Sequence, residues 1–246
     1  MVYIGRSYER YTLLQMIERF SQGFTREQLS QFYNIEKPEA FLPNYNAQPS
    51  QLIPVITHES PQGVSFFYWG LTPQWLKNKT VAEKWVNVRS ELIAEKPVLQ
   101  KMLKQRRCII PADGFYCWKK IGKRTNIPWR FTSSSTTILS FAGVWEEFED
   151  DGETFHTFLI LTTPSVHPIS DIHDRMPLVL NKNAASHWLH HDTTVDQLLT
   201  LLNESSEISW NGYSVSHQLN DLSFNKPSLL NPAPPTDQHG NLTLFS

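Results

Sequence analysis

Asp171-Ile172-His173-Asp174-Arg175-Met176-Pro177-Leu178-Val179-Leu180 sets a histidine, two carboxylates and an arginine within five residues, directly ahead of an apolar run. Met176 to Leu180 reads as a buried strand. A polar cluster at the mouth of such a strand is held rigidly enough to act on a ligand. The alternative is a strand entered through a charged turn, with His173 merely exposed. Strands surround this stretch on both sides. Ahead of it, Cys108–Ala112, Phe115–Trp118, Pro128–Thr132, Ile138–Val144 and Phe155–Thr163 are apolar or alternating runs. Asp113-Gly114, Ser133–Ser135 and Glu149–Gly152 punctuate them as turns. Behind it, Asn181–Leu189 and Val195–Leu202 carry helical periodicity, and Tyr213–Val215 is one more short strand.

Further upstream, Leu52–Thr57 and Val64–Trp69 flank Glu59–Gly63 as a hairpin. Trp85–Glu91 alternates, which sets Asn87, Arg89 and Glu91 on one face of an extended segment. Pro97 opens a helix whose apolar stripe is Val98, Leu99, Met102 and Leu103. Residues 7–33 read as helical, with Leu13, Met16, Ile17 and Phe20 on one face, and Thr25 with Gln28 forms a capping box for a second helix. Asn44–Pro49 is turn-like. Strands outnumber helices and follow one another without βαβ alternation. The fold class is therefore α+β, a mostly antiparallel sheet or partly closed barrel with peripheral helices. One domain spans residues 1–230. From Asn225 onward the prolines and polar residues read as loose, with a tail at 231–246.

Composition narrows the function classes. The 246 residues carry a net charge of −2, so a nucleic-acid partner would need a local basic face. No run approaches a membrane span or a leader's apolar core, which argues for a cytoplasmic chain with no membrane partner. Cys108 and Cys117 are too few for a disulfide framework. His187, His190 and His191 have a spacing that can hold a metal, but they lack a carboxylate partner and suit a helix end better; no metal or cofactor is expected. Asn87 and Arg89 offer an anion-gripping pair or else a solvated strand face. Trp69, Trp75, Trp85, Trp118 and Trp129 share one third of the chain with Lys119–Arg124 and with Lys101, Lys104, Arg106 and Arg107. Aromatics among basic residues suit single-stranded nucleic acid, and a tryptophan-rich core competes with that reading.

Six segments, in this order, resemble the SRAP family, the SOS-response-associated peptidases. They are Tyr45–Pro49, Trp69–Pro73, Asn87–Glu91, Arg107–Tyr116, Phe141–Glu146 and His173–Pro177, within about Asn44 to Leu230. The resemblance implies a β-rich fold with a basic cleft for single-stranded DNA carrying an abasic site, acting in the DNA damage (SOS) response. It implies a DNA–protein crosslink through a cysteine exposed by self-removal of the initiator Met, the source of the peptidase label. That cysteine captures the ring-opened sugar as a thiazolidine. An asparagine matched by Asn87, a glutamate and a histidine matched by His173 complete the site. Arg89 and Arg175 match phosphate-holding arginines, and Arg6, Trp69 and Trp75 join them as expected DNA contacts.

Two of these positions depart from the family. The chain opens Met1-Val2-Tyr3-Ile4-Gly5-Arg6, so the cysteine falls on Val2 by the start or on Ile4 by the Gly-Arg pair. The glutamate position is Cys117. Three expectations follow: a monomer that binds damaged DNA without a stable crosslink; an imine with lyase-type strand scission through the Val2 amine freed by trimming of Met1, with a pKa of about 7.7 to 8.0; or a non-catalytic interaction protein. Cys117 as a relocated nucleophile is a fourth.

Overall fold

The computed structural model describes residues 17–70, 86–122, 125–150, 152–203 and 208–243. In chain order the strands and helices are β1 (Phe20–Gln22), α1 (Arg26–Tyr33), β2 (Asn44–Ala47), β3 (Leu52–Thr57), β4 (Ser65–Trp69) and β5 (Asn87–Arg89). Then come α2 (Glu91–Glu95), α3 (Pro97–Gln105), β6 (Arg107–Ala112), β7 (Gly114–Ile121), β8 (Thr125–Ser133) and β9 (Leu139–Asp150). The last are β10 (Glu153–Pro164), β11 (Arg175–Pro177), β12 (Val179–Leu180), α4 (Lys182–Leu189), α5 (Val195–Asn203) and β13 (Trp210–Ser214).

β10 closes a ring. It pairs with β4, β4 with β3, β3 with β6, β6 with β9, and β9 returns to β10. The result is a five-stranded barrel of mostly antiparallel pairs, beside an open sheet in the order β13-β8-β7-β1-β2. The α+β expectation therefore stands. Asp113-Gly114 is the corner where the chain leaves the barrel for the second sheet. A Cβ at Gly114 would lie 2.7 Å from the Phe131 carbonyl oxygen, so only glycine lets β7 and β8 meet there. Asp113 fixes the corner: it accepts from the Ser21 hydroxyl and from Gly23 N at 2.9 Å, and it pairs with the Arg130 guanidinium at 3.0 Å.

Two apolar layers hold this architecture. The first lies between barrel and sheet and includes Phe20, Trp69, Phe115, Cys117, Phe131, Phe141 and Phe158. The second lies under α3, α4 and α5, around Leu103, Leu161, Trp188 and Leu198. Arg107 staples that helical layer. Its buried guanidinium donates to the carbonyls of Trp188 (2.7 Å), Leu103 (2.9 Å), Lys104 (2.8 Å) and His190 (3.0 Å).

The signature stretch lies where β9 and β10 part. β11 continues alongside β10 (Thr162 opposite Pro177), β12 pairs with β9 (Val179 opposite Phe141), and Leu178 bonds to both neighbours through Leu161 O and Ala142 N. The apolar run is thus two short strands that fill a gap, not one strand.

Four expectations are corrected. Only Arg26–Tyr33 of the 7–33 reading is helical among the described residues, and its Thr25/Gln28 capping box is present. Phe20 instead belongs to a three-residue strand, too short to carry a period of its own. Asn44–Ala47 is an edge strand rather than a turn, tied by the Asn46 amide to the carbonyls of Leu219, Asp221 and Phe224. Glu91 opens a helix instead of extending β5. Asn225–Leu230 is not loose: Asn225 accepts from Tyr45 N at 2.7 Å, and Leu229 is fully buried in a single turn of 3-10 helix. Beyond it Ala233 N donates to Ser214 O, and Thr236 bridges Leu242. No helix among the described residues is long and apolar enough to cross a membrane.

Candidate functional site

The far half of β10 carries one candidate strand on each side. β5 runs parallel to it, with Asn87 level with Ile160 and Arg89 level with Thr162. β11 runs antiparallel on the other edge, with Arg175 level with Pro164. Two strand spacings, roughly 10 Å, separate the backbones of β5 and β11. Asn87 and Arg89 therefore come to one end of the barrel with His173 and Arg175. In sequence the two pairs lie 86 residues apart, and β10 joins them.

His173 is fixed at both ends. Its N–H donates to Ile169 O at 2.9 Å, and its carbonyl accepts from the Ser165 hydroxyl. The ring Nδ1 lies 2.7 Å from the Arg175 carbonyl oxygen and 3.2 Å from Arg175 N. The shorter contact is to an acceptor, so the tautomer assigned by this geometry carries its proton on Nδ1. Nε2 then keeps its lone pair, the form a general base requires.

Arg175 is buried, and its guanidinium is committed inside the protein. It grips both Glu91 oxygens at 2.7 and 2.8 Å and donates to Thr162 O. This fork clamps the start of α2 to β11 across β10. Burial works to raise the Glu91 carboxyl pKa, but hydrogen bonds and charge from Arg175, with help from Arg89, hold it below the ordinary carboxylate value. Among the described residues the Arg175 Nε is buried without a partner, and so is the Asn87 Oδ1. The other half of the Asn87 amide, Nδ2, donates to Ile17 O at 2.8 Å. Arg89 is exposed on β5.

Cys117 faces the layer between barrel and sheet, next to Trp129 in the β7/β8 register. It is 2% exposed, and burial pushes its thiol pKa up, as it does for Cys108. A buried thiol of raised pKa is a poor nucleophile. Lys119, two residues along the same face, places its ammonium 5.4 Å from the centre of the Trp129 ring.

Trp69 is corrected as a DNA-stacking ring. It is 1% exposed, its indole donates to Val86 O at 2.8 Å, and it packs against Phe20 and Phe158. The competing core reading wins because the ring closes the space between barrel and sheet. Val2, Arg6 and Trp75 lie outside the described residues. The His187, His190 and His191 trio is not gathered on one helix: α4 stops at Leu189, and His191 stacks instead over His58 at 6.3 Å. No set of three or more His, Cys, Asp or Glu side chains among the described residues has the geometry to hold a metal.

Three participants were not singled out by sequence reasoning. Glu91 was legible only as a third residue on the face of Asn87 and Arg89. Ile17 looked like one more apolar residue on a helix. Trp129 was one ring among five.

Comparison with known proteins places the chain in a family. The family described as SOS response associated peptidase (SRAP) matches residues 14–222. The abasic site processing protein YoqW of Bacillus subtilis is 35% identical over 221 residues, covering 87% of this chain and 99% of that one. The rat abasic site processing protein HMCES is 29% identical over 249 residues, covering 85% of this chain and 69% of that one. A crystal structure of a Bacteroides thetaiotaomicron protein superposes with a TM-score of 0.74 at 24% identity over 87% of this chain and 99% of that one, a shared fold.

Proposed function

The chain belongs to the SOS response associated peptidase family, and on that premise we propose that it binds single-stranded DNA at abasic sites and holds the lesion without the family's stable crosslink. The observation that carries this reading is the pairing of Asn87 and Arg89 on one edge of β10 with His173 and Arg175 on the other, at a barrel end where no reactive thiol is available. The relatives named as abasic site processing proteins point to the lesion. Arg89 is exposed and takes a phosphate. Asn87 Oδ1, without a partner among the described residues, is the acceptor for a sugar hydroxyl of the opened lesion. His173 Nε2 moves the proton between the ring-closed and ring-opened sugar. Arg175 acts as a positioning residue, because its charge is already matched by Glu91. The protein acts as a monomer in the cytoplasm, within the response to DNA damage.

The test is a purified single-stranded oligonucleotide with one abasic site, run with and without borohydride beside an undamaged control. Tighter, salt-dependent binding to the damaged strand with no band on a denaturing gel in the absence of reductant is the expected result. Equal, salt-insensitive binding to both strands would return the chain to the class of interaction proteins that keep only the fold. A covalent band without reductant would reveal a nucleophile and end the non-covalent reading. A band only with reductant would identify an amine, which sequencing of the trapped peptide would locate.

A further inference from the structure

Three features of the site converge on one residue. The Asn87 amide donates to the carbonyl of Ile17. Ile17 is 1% exposed and packs in the same apolar layer as Val86, Cys117 and Met176. The third is register. In β1 against β7, Phe20 lies opposite Phe115, and the next rung is the bond from Tyr116 N to Arg19 O at 3.0 Å. The same register carried two residues outward sets Glu18 level with Cys117. Ile17 is thus bonded to the retained asparagine and shares an apolar layer with the altered glutamate position, and the family match, residues 14–222, includes it.

We infer that Ile17, rather than Val2, occupies the place of the family's reactive N-terminal residue, and that amine chemistry at this site requires a chain beginning at Ile17. This rests on the abasic-site reading above. In the sequence as written, the Ile17 nitrogen is an amide joined to Met16. Its lone pair is delocalised into the carbonyl and cannot add to an aldehyde. Hydrolysis of the Met16–Ile17 bond consumes one water and leaves a carboxylate on Met16 and an α-amine on Ile17, with a pKa of about 7.7 to 8.0. That amine, beside Asn87, adds to the aldehyde of the ring-opened sugar. The sugar oxygen leaves as water, and a C=N bond remains. Ile17 has no thiol to close a thiazolidine, so the adduct stops at the imine, which borohydride reduces to a stable secondary amine.

The experiment inserts, between Met16 and Ile17 of the full chain, a protease recognition sequence that is cut on its C-terminal side. Cut and uncut protein are incubated with the abasic oligonucleotide and borohydride, and the trapped peptide is sequenced by mass spectrometry. Binding of the oligonucleotide without reductant is measured on the same samples. The cut protein should trap about tenfold more DNA than the uncut, because a site-held amine acts at high effective concentration, and the adduct should map to Ile17. Trapping by the uncut chain through Val2 overturns the assignment. So does the absence of trapping after complete cutting when binding is intact. Loss of specific binding in the uncut protein sinks the abasic-site reading itself, and this inference with it.

Discussion

At the residue scale, the site divides by exposure. Arg89 is exposed, whereas Arg175 is buried and matched by a carboxylate. Two arginines of the same signature thus do different work. Arg89→Ala should weaken binding to damaged and undamaged strands alike and lower the magnitude of the salt slope by about 0.7, the value for one phosphate contact on a single strand. Asn87→Ala should instead reduce the preference for the damaged strand and leave that slope unchanged. The thiols make a separate prediction. Both are buried with raised pKa, so native protein at pH 8 should resist alkylation at Cys108 and Cys117 alike, and both should react on unfolding. Rapid alkylation of Cys117 alone in the folded protein would restore it as a nucleophile.

At the scale of elements, the clamp between α2 and β11 calls for a direct test because it ties the helix that follows Arg89 to the strand that follows His173. Glu91 has its folded-state pKa held below the usual value, so the ion pair stabilises the fold at neutral pH. That contribution is lost as the pH falls through the folded-state value, below the ordinary carboxylate range. Glu91→Gln keeps the shape and removes the charge. It should lower stability at pH 7 by about 1–2 kcal/mol, less than for a fully buried pair because the Glu91 carboxylate is half exposed. It should also flatten the loss of stability on acidification, read by thermal melts between about pH 3 and pH 7. Arg107 is the corresponding staple between α3 and α4. Arg107→Met would leave four carbonyls short of a donor, and a loss of about 3 kcal/mol or more is expected in denaturant unfolding.

At the scale of the whole molecule, the segment after β13 is part of the fold. Leu229 is fully buried with Tyr116, Val215 and Leu219, and the Tyr213 hydroxyl joins Arg130 to the Leu230 carbonyl. That hydroxyl links the C-terminal segment to the Asp113 corner and so to the barrel. A chain ending at Phe224 should lose about 2–4 kcal/mol, the cost of emptying one leucine site, and should become sensitive to proteases in the β7/β8 hairpin. A chain ending at Leu230 should keep most of its stability. Equal melting of the two truncations would show that the buried leucine contributes nothing.

What the sequence determined by itself was the inventory. Alternation and turn residues marked most of the strands, the capping box marked α1, Pro97 marked the start of α3, and the order of six short motifs marked the family. Local chemistry suffices there, because period, cap and turn preferences act within a few residues. Tertiary structure decided the rest. Which arginine meets solvent depends on Glu91, a residue from another element. Trp69 became core because barrel and sheet close over it. β1 is three residues long and is held by β2 and β7, so no pattern within it could announce a strand. The place of Ile17 follows from β1 lying against β7 and from a bond to Asn87, seventy residues away in sequence. Pairing between distant strands carries no local signal, and that pairing decides which residue stands where the chemistry would occur.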